Sequence, residues 1–225
     1  MKRPNFRQGG FTLVELIFVL AIIVTLASIF LPLAMSKFSQ SKEASTDSSI
    51  DAIAAALTNF FGDMDRFPTC NSSDCDPFSA ANNDLTFLAF GTGSGDISGE
   101  YPVTVGQTGS AWSLTAKDEA NPNEARNNAF NHLVANNPNA DATTAQADVD
   151  YKSTKWKGPY ISKIGKDPFG FAYIAGVGAM ETSGNPVATG AKGWIISAGP
   201  DGNLDTAPSA SVLSNDDRGY IFFTK

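Results

Sequence analysis

The sequence predicts an α+β protein, in which one long N-terminal helix is followed by short antiparallel strands. An apolar run covers residues 11–32, and the chain beyond it becomes amphipathic with helical spacing up to residue 61. The last third of the chain consists of short apolar runs separated by Gly and Pro, a pattern typical of short strands and turns. The order of these elements therefore predicts a helix first and a small sheet after it.

The apolar run is the most informative of these elements. It begins directly after Gly9 and Gly10 and carries a single charge, Glu15. Roughly 20 apolar residues suffice to span a bilayer, but an isolated carboxylate there is costly unless it finds a partner. A secretory signal places its small-residue cleavage site after the apolar region, whereas the two glycines precede it here. A plain membrane anchor explains the hydrophobicity and leaves Glu15 without a role.

The stretch GFTLVE at positions 10–15 resembles the class III leader motif of type IV pilins and of type II secretion pseudopilins. The resemblance implies cleavage between Gly10 and Phe11 by a prepilin peptidase, followed by N-methylation of Phe11. Cleavage creates a positively charged amine, which Glu15 of a neighbouring subunit can reach in a packed filament. Because such a pair is strong in a low-dielectric core, Glu15 is predicted to set the register of assembly. The alternative is a charge tolerated at the membrane edge.

One continuous helix is predicted from Phe11 to about Phe61, with Gly62 as its stop. Pro32 removes one backbone hydrogen bond inside this helix and is predicted to kink or locally melt it. From Lys37 onward, apolar residues recur at steps of three and four, which predicts one buried face. The residues of this face are Ile50, Ile53, Leu57, Phe60 and Phe61.

The chain is therefore divided into a cleaved leader (1–10), a transmembrane or filament-core helix (11–35), an amphipathic helical half (36–62) and a globular domain (63–225). Residues from about 71 to 150 are low in charge and rich in Asn, Ala, Gly and Ser, with a helix predicted over 123–135. The only cysteines, Cys70 and Cys75, stand close together in a polar loop. In an oxidising compartment they are predicted to form a small disulfide loop, and a two-cysteine metal site is the alternative.

The distribution of charge indicates where the globular domain resides. The formal net charge is −7, and it becomes more negative once the basic residues of the leader are removed. Those residues, Lys2, Arg3 and Arg7, obey the positive-inside rule and predict that the domain faces the periplasm or the exterior. The resemblance to pilins implies the bacterial inner membrane as the location. An acidic domain does not favour nucleic-acid binding, which needs a basic patch.

No enzymatic activity is predicted from the sequence. Nucleophilic catalysis needs a base within reach of a Ser or Cys. The only histidine, His132, lies in an Asn-rich predicted helix with no catalytic motif around it, and it is predicted to be a surface residue.

Three segments near the C-terminus carry a second resemblance. WKGPYI at 156–161, KDPFG at 166–170 and SAGPDG at 197–202 closely resemble, in this order, segments of the major pseudopilin of type II secretion systems. The resemblance implies a type IV pilin fold, in which the long helix packs on a small antiparallel sheet with a C-terminal loop region. It covers the N-terminal helix and roughly residues 150–220, so that 71–150 is interpreted as an insertion. Phe169 stands where the family has tryptophan.

The loop after the last of these segments is rich in oxygen side chains. The spacing of Asp201, Asn203 and Asp205 resembles the first half of an EF-hand loop, but Val212 stands where that loop needs a glutamate. The pseudopilin resemblance implies a different calcium loop, which also uses the late aspartates Asp216 and Asp217. Its predicted ligands are Asp201, Asn203, Asp205, Asp216 and Asp217, helped by Ser197 or nearby carbonyls. The alternative is an acidic solvated loop with Asx turns.

The resemblance implies a structural subunit that polymerises with copies of itself. We predict the major pseudopilin of a type II secretion system, with a prepilin peptidase, an inner-membrane assembly platform, a secretion ATPase and minor pseudopilins as partners, and with the membrane as its location before assembly. An extracellular type IV pilus subunit for adhesion, motility or DNA uptake is one alternative. A non-polymerising, membrane-anchored binding module is another.

Overall fold

The computed structural model describes residues 10–68, 85, 87–93, 95–105, 112, 127–138, 151, 155–162, 165–177 and 192–224. Cys70, Cys75 and the leader before Gly10 lie outside the described residues. Contacts divide the chain into two compact units, Met1–Lys42 and Glu43–Lys225. The helices and strands are α1 (Leu13–Met64), β1 (Phe87–Phe90), α2 (Ala129–Leu133), β2 (Tyr173–Gly176), β3 (Lys192–Ser197) and β4 (Arg218–Thr224), with one 3₁₀ turn at Ser98–Glu100.

The first unit is the apolar part of α1. Its large apolar side chains, from Phe11 to Phe38, are between 50 and 85% exposed. The helix continues on both sides of Pro32, so the predicted local melting is wrong. A proline in a helix interior forfeits the bond of its own missing N–H, and here the bonds on either side maintain the helix.

The C-terminal end of α1 lies slightly beyond the predicted stop. The helix passes through Gly62 and ends at Met64. Asp65 then adopts a positive φ of 57°, while its N–H still donates to the carbonyl of Phe61 at 2.8 Å. The left-handed residue that terminates a helix is usually Gly, but Asn and Asp also tolerate this conformation. The chain therefore turns at Asp65 rather than at Gly62.

The four strands form one antiparallel sheet in the order β1-β2-β3-β4. Phe87 of β1 is opposite Gly176 of β2, and Ile174 of β2 is opposite Ile196 of β3. Strand β4 pairs with the whole of β3, with a register shift at Gly193 and Trp194. The long helix and the antiparallel sheet confirm the predicted α+β class.

Successive residues of the strands alternate between two buried faces. The face toward α1 forms an inner core with the predicted helix residues, which include Ile50, Ile53, Leu57 and Phe60. Its strand residues are Leu88, Phe90, Tyr173, Ala175 and Ile195. The opposite face forms an outer core of Phe87, Ala89, Ile174, Trp194 and Ile196 with Ile97, Val105, Trp112, Ala172, Ala198 and Leu204. The segment interpreted above as an insertion therefore supplies strand β1 and part of a second hydrophobic layer, which the sequence analysis did not predict.

The helix predicted within the insertion is shorter than expected. Among the described residues it covers Ala129–Leu133, and the side chain of Asn128 caps it by accepting from the N–H of Phe130. His132 is fully buried, and its Nδ1 lies 2.7 Å from the Tyr151 hydroxyl. The prediction of a surface histidine is wrong, because His132 packs against Tyr151 inside the domain.

Phe60 and Phe61 allow a matched test of the inner core. Phe60 is fully buried and packs edge-on against Tyr151 and Tyr160. Phe61 is 40% exposed, so the prediction that it belongs to the buried face is wrong. Phe60→Ala should lower the free energy of unfolding by about 3–5 kcal/mol, because it removes a buried ring and leaves a cavity. Phe61→Ala should cost about 1 kcal/mol or less. The measurement is denaturant unfolding of the full chain in mild detergent; equal losses would contradict the described burial.

Candidate functional site

The start of α1 is closed by a reciprocal pair of hydrogen bonds. The Thr12 N–H and hydroxyl both donate to Oε2 of Glu15, each at 2.8 Å, and the Glu15 N–H donates to the Thr12 hydroxyl at 3.3 Å. This is a capping box, in which the residue before the helix and the third helical residue satisfy each other's backbone. Glu15 therefore has a structural role within one subunit. The sequence analysis missed Thr12, although the Thr-x-x-Glu spacing before an apolar run signals such a cap.

The capping box occupies only one oxygen of the Glu15 carboxylate. Among the described residues, Oε1 accepts no hydrogen bond. A carboxylate has several acceptor positions, so Glu15 can keep its cap and still bind a cationic group of another molecule. This arrangement is compatible with the predicted pairing to an N-terminal amine.

The remainder of the first unit has the properties of a membrane segment. The most apolar 18-residue window of α1 has a mean hydropathy of 2.9, and none of it is buried inside the structure. By length and composition the helix can cross a bilayer. An apolar helix that is exposed among the described residues fits membrane anchoring or burial against other chains.

The second candidate site is the acidic loop, residues 198–217, between β3 and β4. Carboxylate oxygens of Asp201, Asp205 and Asp216 lie within 4.8 Å of one another. Asp201 and Asp205 are exposed, and Asp216 is half-buried. The structure thus brings together three of the four aspartates that the sequence analysis named. Three like charges at this separation repel one another, which favours the binding of a cation among them.

Glycine and backbone contacts bring Asp216 into this group. Gly199 has a positive φ of 66°, and a side chain at this position would overlap the backbone and carboxylate of Asp216. The Asp201 N–H donates to Oδ2 of Asp216 at 3.1 Å, and the Asn203 N–H donates to Oδ1 of Asp201 at 2.7 Å. The last bond is an Asx turn, the local motif that the alternative interpretation invoked.

Asp217 has a different position from its neighbour. It is buried, and its Oδ2 accepts from the N–H groups of Asp205 at 2.9 Å and Thr206 at 2.6 Å. Burial raises the pKa of the Asp217 carboxyl above its ordinary value, and the hydrogen bonds from Thr206 and Asp205 act in the opposite direction. Its Oδ1 is buried and has no hydrogen-bond partner within the described part of the chain. Asp217 therefore holds the loop backbone and leaves one buried oxygen unsatisfied.

The beginning of the acidic loop is anchored by Asp167 of the KDPFG turn. Asp167 is buried, and its Oδ1 accepts from the N–H groups of Phe169, Gly170 and Phe171 at 2.8–2.9 Å. Its Oδ2 accepts from the Ser197 hydroxyl at 2.6 Å. Ser197, which the sequence analysis predicted to assist calcium binding, thus donates a hydrogen bond to Asp167. This bond joins the turn and the loop at the end of β3.

The oxygen groups of the loop are of the chemical type that calcium prefers as ligands. Calcium takes 6–8 oxygen ligands from carboxylates and carbonyls, in flexible geometry. The three convergent carboxylates of Asp201, Asp205 and Asp216 are donors of this kind. The group contains oxygen alone, which suits calcium better than zinc or copper.

Comparisons with known proteins point to the same N-terminal feature. The family model described as the prokaryotic N-terminal methylation motif matches residues 5–31. The type IV major pilin protein PilA of Myxococcus xanthus (strain DK1622) is 37% identical over 67 residues, which is 30% of this chain and 30% of that protein. The chain thus covers less than a third of the length of this curated relative. No solved structure matches the chain significantly.

The Asp167 anchor generates a stability prediction. Asp167→Ala should lower the free energy of unfolding by about 3 kcal/mol, because it leaves three backbone N–H groups and the Ser197 hydroxyl without their acceptor. Asp96→Ala is the control, since its Oδ1 accepts from the Ser98 N–H on an exposed surface, and it should cost about 0.5–1 kcal/mol. Thermal and denaturant unfolding of the full chain in detergent measures both; a small loss for Asp167→Ala would contradict the anchoring role.

Proposed function

We propose that this chain, a type IV pilin-like protein and a subunit of a pilus-like filament, is the major pseudopilin of a type II secretion system. The observation that carries the finer assignment is the acidic loop, where three aspartates converge beside the Asp167–Ser197 anchor. This is the region in which the sequence resembles the major pseudopilin. The N-terminal methylation motif implies processing by a prepilin peptidase and polymerisation with copies of the same chain.

The proposed mechanism of assembly uses the two oxygens of Glu15 separately. Oε2 keeps the helix start closed through Thr12, while Oε1 pairs with the N-methylated amine of Phe11 in a neighbouring subunit. In the low-dielectric core of a filament this pair is much stronger than in water, and each mismatched register leaves a carboxylate unpaired. The charge thus selects one axial register, while the apolar side chains supply most of the contact area.

In this proposal the subunit resides in the inner membrane before assembly, and its globular domain faces the periplasm. A secretion ATPase and an inner-membrane platform extract it and add it to the filament, which minor pseudopilins initiate. The growing filament pushes exported proteins toward the outer membrane. The chain itself acts as a structural element.

An extracellular type IV pilus subunit is the second candidate. The similarity to a protein described as a type IV major pilin favours it. In that case the globular domains coat a surface filament, and the insertion is exposed to the medium. The two candidates share the assembly mechanism and differ in what the cell loses without the chain.

The two candidates can be separated in a bacterial strain from which the gene has been removed. If the chain is a major pseudopilin, exported proteins should accumulate inside the cells and surface filaments should persist. Complementation with Glu15→Gln should fail because glutamine carries no charge, although it can still cap the helix. Thr12→Val removes the side-chain cap but keeps the charge of Glu15, so it should restore export. The measurements are protein content of the medium and electron microscopy of the cell surface.

Normal export combined with loss of surface filaments would contradict the secretion assignment and support the pilus. Full complementation by Glu15→Gln would contradict the charge-pairing mechanism in either system.

We further propose that the acidic loop binds calcium in a structural role. Binding should offset the repulsion among Asp201, Asp205 and Asp216 and thereby stabilise the loop. Saturating calcium should raise the melting temperature of the full chain in detergent by about 5–10 °C relative to chelator. Asp205→Asn should abolish most of this rise. Asp65→Ala, at an exposed ion pair outside the loop, should leave it intact, and an equal melting temperature with calcium and chelator would refute the site.

A further inference from the structure

We propose a clamp of three residues from the insertion, Val103, Thr104 and Trp112. This clamp fixes the backbone of the acidic loop before any cation binds. Thr104 is the central positioning residue of this clamp. The part of the inference that concerns cation affinity rests on the proposed calcium site. The part that concerns loop order does not.

The Thr104 hydroxyl contacts both backbone groups of a single loop residue. It accepts from the Leu204 N–H at 2.8 Å and donates to the Leu204 carbonyl at 3.1 Å. One side chain thus replaces the pair of bonds that a neighbouring strand would supply. These bonds join residues 100 positions apart in the chain, so they impose a long-range constraint that the loop sequence cannot create by itself.

Two further contacts continue the same pattern along the loop. The Val103 N–H donates to the carbonyl of Gly202 at 2.8 Å. The Trp112 indole N–H donates to the carbonyl of Thr206 at 2.6 Å, in a buried position. The clamp therefore bonds residues 202, 204 and 206, which are alternate residues of one backbone segment.

The intervening residues are the proposed calcium ligands. Gly202, Leu204 and Thr206 are buried, whereas Asp201 and Asp205 are exposed and Asn203 is half-buried. Burial therefore alternates residue by residue along 201–206, from the turn at Asp201 and Gly202 onward. One side of the segment is thus bonded to the clamp, and the other side presents the oxygen groups. The clamp determines the spacing of Asp201 and Asp205 without contacting either side chain.

The clamp has a rigid foundation. Trp112 and Val105 are each less than 7% exposed and belong to the outer core, together with Ile97 and with Trp194 of β3. On the loop side, Leu204 joins the same core. Gly202 has a positive φ of 73°, and a side chain there would overlap the ring of Phe171. The loop backbone is therefore confined between the clamp and Phe171, the residue that follows the KDPFG turn.

The physical consequence is preorganisation. A free loop that carries three convergent carboxylates relaxes by separating the charges, and a cation must then reverse this relaxation and order the chain. Where hydrogen bonds and packing already hold the backbone, the loop has lost its conformational entropy during folding, and the cation does not have to order it. The clamped loop should thus be ordered in the absence of calcium and should bind calcium more tightly than an unclamped loop.

The experiment compares the full chain in detergent with Thr104→Val, which keeps the shape and removes the hydroxyl, and with Thr104→Ser, which keeps the hydroxyl. Thr58→Val is the matched control, since its hydroxyl donates to a helix carbonyl outside the loop. Amide hydrogen exchange of Leu204 is measured in chelator, and calcium chloride affinity is measured by titration calorimetry. Near-UV circular dichroism verifies that each variant is folded.

In chelator, Thr104→Val should exchange the Leu204 amide at least about tenfold faster than the wild type, because two hydrogen bonds are lost. Thr104→Ser and Thr58→Val should resemble the wild type. Unchanged exchange in folded Thr104→Val would overturn the clamp, whether or not calcium binds. If the wild type binds no calcium, the calcium proposal fails and the exchange result still decides the clamp.

If the wild type binds calcium, Thr104→Val should weaken the affinity by about tenfold, the equivalent of one to two hydrogen bonds. Thr104→Ser should recover most of the affinity. Faster exchange with unchanged affinity would overturn preorganisation of the cation site, because the loop would then order equally well without the clamp.

Discussion

The four-stranded sheet carries apolar side chains on both of its faces, so both faces must be covered. This requirement organises the second unit. The amphipathic half of α1 covers one face through Ile53, Leu57 and Phe60. The insertion and the acidic loop cover the other through Trp112, Val105 and Leu204. Burial of apolar surface is the dominant favourable contribution to folding. The loop that carries the candidate site is therefore also a structural layer of the domain.

Polar groups inside this arrangement connect the layers at defined points. Asp167 joins a turn to the end of β3 through Ser197, and Asp217 joins the end of the acidic loop to its middle. Arg218 extends the connection to α1, where it contacts Glu43 at 3.2 Å and Asp47 at 2.8 Å. Such exposed ion pairs contribute little by themselves. The buried carboxylates matter more, because an unsatisfied partner inside the domain is costly.

The first unit follows a different physical logic. Its apolar side chains are exposed within the part of the chain that the structure describes, a property that suits a bilayer or contacts with other chains. Glu15 is the single charged residue of the apolar run 11–32, and the capping box with Thr12 shows how the chain itself accommodates it. Half of the carboxylate serves the helix, and the other half is available to a partner. In the proposed function, membrane anchoring and filament assembly use the same apolar surface, and the charge of Glu15 distinguishes the registers.

Local patterns in the sequence determined the long helix, its buried face and the leader motif, because helical spacing and hydrophobicity are properties of neighbouring residues. They also identified the acidic loop, since its aspartates are close in the chain. Only the tertiary structure decided which aspartates converge, that Asp217 supports the backbone instead, and that His132 is buried. These outcomes depend on contacts between distant segments. The role of the insertion is the clearest case: Thr104 and Leu204 are joined across 100 positions, and no local pattern carries that information.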